Sequence, residues 1–175
     1  MKQRAVLAVG FVLLGLGALC LVPGVALAGD HKPKNGPVTN LPLPRYVSMK
    51  AGKGNVRRGP GLTHKVDWVF VRKDIPLRIT AEYGNWRRVQ DMDGAGGWMH
   101  YSLLSGRRTV VIRKDYTPLR TTPDVGSDPR AYAEQGVVGY LGTCLPLWCR
   151  VRAEGHRGWV LKDEMWGVDP QDLRD

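Results

Sequence analysis

Short runs rich in valine, isoleucine, tryptophan and tyrosine recur along the chain from Tyr46 onward: YVSMK, KVDWVFVR, PLRITAE, WRRVQ, GGWMH, TVVIR, GVVGYL, WCRVRA and RGWVLK. No stretch keeps helical spacing of its apolar residues for three turns. Gly, Pro, Asn and Asp separate the runs at close intervals, which is the pattern of strands joined by tight turns. The chain is therefore predicted to be all-β.

The pattern changes toward both ends. MKQR is followed by an apolar run from Ala5 to Val22, a break at Pro23 and Gly24, and then Ala26 and Ala28, small residues placed for cleavage. Residues 1–28 are predicted to be a signal peptide. The alternative is a retained anchor, since about 18 apolar residues is the lower edge of a spanning helix. Both readings export the rest, to the periplasm or beyond, and cleavage leaves no stable membrane insertion. Residues 29–44, which include HKPKNGPVTNLPL, are predicted to be a flexible lead-in. Residues 169–175 are predicted to be a C-terminal tail.

Between these ends the second half repeats the first. KDIPLRITAEYGNWRRV, Lys73 to Val89, lies over QGVVGYLGTCLPLWCRV, Gln135 to Val151, without a gap at an offset of 62. Trp86 falls on Trp148, Arg88 on Arg150 and Val89 on Val151; after a one-residue deletion GGWM falls on RGWV. NVRRGP corresponds loosely to PLRTTP. Two small units follow, predicted at residues 45–106 and 107–168, each near the lower size limit for an autonomous core. Trp86 and Trp98 fall on neighbouring strands, either as lids of a small core or as the floor of a ligand site.

NVRRGPG, a β run, YGNWRRV and GGWMHYSLL together resemble the bacterial SH3 (SH3b) pattern of N-V-R-x-G-P, a central strand, G-x-W-x-x-V, and G-W-V with a short helical turn. The resemblance covers residues 46–105 well and 108–167 more weakly. The chain as a whole is similar to a family of exported tandem SH3-like proteins. This implies a five-stranded SH3-like barrel, twice, used for binding or targeting; related envelope domains recognise peptidoglycan peptides or neighbouring proteins. The second copy departs from the pattern, because PLRTTP loses the first Asn and the Gly-Pro.

Charge narrows the partner. The chain holds 26 Lys and Arg against 16 Asp and Glu, a formal +10. Loss of Lys2 and Arg4 with the signal leaves +8. Such a balance attracts anionic surfaces such as lipids, lipopolysaccharide and peptidoglycan carboxylates, over a range that salt screens. Export excludes nucleic acid as a partner.

Catalytic resources are thin. Ser48, Ser102, Ser105 and Ser127 lie in no G-x-S-x-G elbow, and His31, His64, His100 and His156 have no metal-pair spacing. Asp91 with Asp93, and Asp163 with Glu164, read as solvated turns or strand ends. No catalytic residue, metal or cofactor is predicted, and the chain is read as not an enzyme.

Of three cysteines, Cys20 lies in the apolar run, leaving Cys144 and Cys149 as an exported pair. Zinc would need two more ligands, and a thiol oxidoreductase usually presents C-x-x-C at a helix start. A hairpin looped by LPLW would bring the two Cα atoms to about 4.5 Å, within disulfide range, so a disulfide is predicted. The remaining conspicuous group is arginine, in pairs at 57–58, 87–88 and 107–108. Neighbours on a strand point to opposite faces, so at most one of each pair joins a given patch. The candidate ligand-binding residues are Arg57, Arg58, Tyr83, Arg87, Trp98 and Tyr101, forming a shallow aromatic and cationic groove on the first unit. The function predicted is binding of a cell-wall component; the alternative is a scaffold for another periplasmic protein.

Overall fold

The computed structural model describes residues 34–175, and each apolar run quoted above forms a strand or part of one. The signal peptide expected over residues 1–28 and Cys20 lie outside the described residues. Sixteen strands follow in order: β1 (Lys34–Asn35), β2 (Pro42–Leu43), β3 (Arg45–Met49), β4 (Gly54–Arg57), β5 (Val66–Phe70), β6 (Pro76–Tyr83), β7 (Trp86–Gln90) and β8 (Gly96–His100). Then come β9 (Leu104–Ser105), β10 (Thr109–Ile112), β11 (Thr117–Arg120), β12 (Pro129–Ala133), β13 (Val138–Cys144), β14 (Trp148–Ala153), β15 (His156–Leu161) and β16 (Met165–Trp166).

The internal repeat is visible as topology. One sheet runs β5-β4-β8-β7-β6-β3-β9 and the other β12-β11-β15-β14-β13-β10-β16, each strand antiparallel to its neighbours. Each sheet has seven strands where five were expected. The extra two arise because the segment after the first strand folds back on itself, as β4–β5 in one barrel and β11–β12 in the other. Register shifts recur as well, at Val56/Arg57 and Leu119/Arg120, and again at Ile79/Ala81 and Leu141/Cys144.

Period-two alternation sends one face of each strand inward. The first core gathers Val47, Met49, Val56, Phe70, Leu77, Ile79, Val89 and Met99. The second gathers Val110, Ile112, Leu119, Leu141, Val151, Val160, Met165 and the cysteine pair. Trp86 and Trp98 belong to neither core and sit half-buried on the outward face. Cys144 and Cys149 face each other across the β13–β14 hairpin as a disulfide, with Cα atoms 4.1 Å apart.

The barrels touch through specific side chains. The Tyr46 ring meets Trp166 edge to face at 5.2 Å, and the Arg108 guanidinium lies 5.6 Å from the Tyr46 ring centre. The Tyr140 hydroxyl donates to Asp74 at 2.8 Å, and Arg72 donates to the Gly136 carbonyl at 2.9 Å.

Residues 34–43, expected to be a flexible lead-in, form the β1–β2 hairpin instead. The backbone N–H groups of Val38 and Thr39 donate to the Glu82 carboxylate, and the Thr39 hydroxyl donates to the same group at 2.6 Å. A buried carboxylate needs such donors, so the partner, not local periodicity, orders the segment. The last residues are held similarly. Lys162 donates to the carbonyls of Pro170 and Asp172, Arg108 pairs with Asp172 at 2.6 Å, and Arg174 bridges to Cys144 through both backbone groups.

Candidate functional site

Four strands of the first barrel put an aromatic and cationic surface on the outward face. Val89 and Met99 point into the core, so Trp86 and Arg88 on β7, and Trp98 and His100 on β8, point out. Trp86 pairs with His100 and Arg88 with Trp98. The Trp86 and His100 rings meet edge to face at 5.5 Å, and the His100 ring lies 4.9 Å from that of Tyr101. Gly97 permits the close approach of β4 to β8: its φ is +154°, and a Cβ there would come within 2.6 Å of the Arg57 carbonyl oxygen.

The bulge at Val56/Arg57 brings Arg57 across from Trp98. Arg57 Nη1 donates to the carbonyls of Leu62 at 3.0 Å and His64 at 2.7 Å, folding the β4–β5 loop back over the sheet. The result is a groove of about 390 Å³ walled by Trp86, His100, Leu62 and Leu103, with Lys53, Asn55 and Arg57 on its polar side. Its chemistry is an indole and an imidazole for packing, and two cations for an anion.

The predicted residues divide around this groove. Arg57 lines it. Tyr83, across from Trp86, and Tyr101, next to His100, stand exposed at its margin. Trp98 shares the outward face two ladder positions away. Arg58 lies elsewhere, pairing with Asp67 at 2.7 Å. Arg87 is buried: its guanidinium donates to the carbonyls of Gly84 and Trp86, and approaches Glu82 at 3.6 Å. It follows Val89 in parity and therefore cannot share the face of Trp86. His100, Lys53, Asn55, Leu62 and Leu103 were not foreseen, and Trp86, read as either a lid or a ligand floor, takes the outward place that parity gives it.

The second barrel repeats the scaffold of the groove but buries its tryptophan. Arg120 stands across from Trp159, as Arg57 does from Trp98, and its Nη1 clamps the loop through the Ser127 carbonyl at 2.6 Å. Trp148 takes the place of Trp86 but is only 8% exposed, and Leu161 replaces His100. Among the described residues there is no cluster of three metal-ligating side chains.

A family model described as bacterial SH3 domain matches residues 50–106 and again 113–167. The chain belongs to the bacterial SH3 domain family. No curated protein matches it. Among solved structures, this bacterial SH3 pair is similar to NlpC2 of Trichomonas vaginalis, at 13% identity and a TM-score of 0.33 over 72% of this chain and 50% of that one. NlpC1 of the same organism gives 10% identity and a TM-score of 0.33 over 75% and 48%. The chain thus spans about half the length of these two proteins.

Proposed function

We propose that the protein is a non-catalytic module that docks on the cell envelope, with the groove of the first SH3 barrel taking a peptide of the peptidoglycan stem. The observation that carries this reading is the open Trp86–His100 wall beside Arg57 and Lys53, at a position where the second barrel buries its tryptophan. A stem peptide offers free carboxylates and small side chains. The N–H donors of Arg57 not used on the loop and the Lys53 ammonium suit the carboxylates. The indole of Trp86 offers a rigid apolar wall for the small side chains. Membership of a family of binding domains supports the same reading.

Co-sedimentation with purified sacculi at low and moderate salt tests it. The protein is expected to pellet with sacculi, and Trp86→Ala to leave it mostly in the supernatant while the circular dichroism spectrum stays unchanged. If the unmodified protein stays in the supernatant at both salts, the groove does not bind the wall, and a protein partner of the envelope becomes the better reading.

A further inference from the structure

The outward face of the second barrel carries a different surface. A single ladder row crosses it: Tyr140 on β13 pairs with Arg152 on β14, which pairs with Arg157 on β15. Arg107 extends the row, because its guanidinium and that of Arg152 lie 5.3 and 5.6 Å from the Tyr140 ring centre. The next row holds Arg150 against Trp159. Among the described residues Arg107, Arg150, Arg152 and Arg157 form no ion pair. Strands β13, β14 and β15 contain no Asp or Glu. Carboxylates near its margins include Asp74, which accepts from the Tyr140 hydroxyl, Glu154 in the β14–β15 turn, and Asp91 and Asp93, which line a cavity with Val138 of β13.

Two arginines directly opposed across strands repel each other and cost stability. The fold does not demand them: the corresponding row of the first barrel reads Arg78, Gln90 and Gly96. A bound anion would turn that cost into attraction. The face is a sheet surface, and none of its arginines lines the groove of the first barrel. Neighbouring strands are about 4.8 Å apart and successive outward residues about 6.7 Å, so the cations form a planar grid and not a ring around one ion. Tyr140 and Trp159 place amphipathic rings among them, as proteins do at a lipid interface.

We infer that this arginine face docks on the head groups of an anionic phospholipid bilayer, peripherally and independently of the groove. The protein would then hold the membrane with one barrel and present the other to the wall.

Residues 32–175 form one compact unit holding both complete cores, so that unit is the material for the test. Its partition is measured onto vesicles of phosphatidylcholine alone and with phosphatidylglycerol added. Binding is expected only with the anionic lipid and should weaken as salt rises. Arg152→Gln with Arg157→Gln should lower partition about fivefold per arginine, on the order of 25-fold together, whereas Arg152→Lys with Arg157→Lys should retain most of it. An unchanged circular dichroism spectrum serves as the folding control of the glutamine variant, and Trp86→Ala should leave vesicle binding unchanged, which separates failure of this inference from failure of the groove reading. Absence of binding to anionic vesicles, or equal binding by the glutamine variant, overturns the inference. Arginine-dependent binding of long-chain polyphosphate without vesicle binding also overturns it, in favour of a linear polyanion.

Discussion

Glu82 and Cys144 hold the same ladder position in the two barrels: Glu82 stands across from Arg87, and Cys144 across from Cys149. Each also receives a segment from outside its sheet, the β1–β2 hairpin on Glu82 and Arg174 on Cys144. The two halves therefore fasten one corner of the fold by different chemistry.

Burial alone would raise the Glu82 carboxyl, but donors from the Thr39 side chain and backbone, Arg45 and Val38 outweigh it and hold the group at about 2, against 4.5 for a free glutamate. A carboxyl lowered on folding stabilises fully above its unfolded value, and that stability is lost as pH falls through the folded one. The shift corresponds to about 3 kcal/mol. Urea unfolding of the unmodified protein and Glu82→Gln should therefore differ by a constant amount from pH 7 to about pH 5, and the difference should shrink toward zero near pH 2. A difference that is the same at both ends would assign Glu82 no role in acid stability.

Reduction should act on the second barrel. The Cys144–Cys149 bond closes a very short loop, for which chain entropy gives about 2 kcal/mol. Unfolding with and without reductant should show a loss of that size. A thiol count on folded, unreduced residues 32–175 should find no free thiol, and two would remove the disulfide from the account.

Gly97 and Gly158 test the repeat at two equivalent close backbone contacts. A Cβ on Gly97 would meet the Arg57 carbonyl at 2.6 Å, and one on Gly158 would meet the Leu119 backbone at 2.5 Å. Alanine at either position is expected to cost about 2 kcal/mol or more by forcing strands apart. Gly106→Ala, with open space around it, should be nearly neutral. Thermal melts of the three variants give the comparison; equal melting temperatures would contradict it.

Arg57 and Arg58 should separate cleanly despite being adjacent. Arg57→Ala removes two hydrogen bonds to the β4–β5 loop and a cation of the groove, so sacculus binding and stability both fall. Arg58→Ala removes an exposed pair with Asp67, worth at most about 1 kcal/mol, and should leave binding unchanged. Reversed binding effects would move the site away from the groove.

The repeat at an offset of 62, the strands and the cysteine pair were legible because they rest on alternation and turn chemistry, both local. The lead-in was not: Pro, Gly, Asn and Thr of residues 36–40 have no periodicity, and a distant buried carboxylate shapes them. Of the candidate residues, Arg57 lines the groove, and its placement there depends on a bulge that sequence alternation does not reveal. Arg87, read as a candidate ligand-binding residue, is buried, because Glu82 and two carbonyls satisfy it.

The bridge between Cys144 and Arg174 has a consequence for self-association. Strand β13 runs past its partner β10 and would otherwise end with unpaired backbone groups, the template on which sheets extend from molecule to molecule. Arg174 occupies that template in cis. A chain ending at residue 168 should therefore gain a concentration-dependent dimer or longer polymer by strand addition, measurable by analytical ultracentrifugation, while the intact chain shows no such species through that edge.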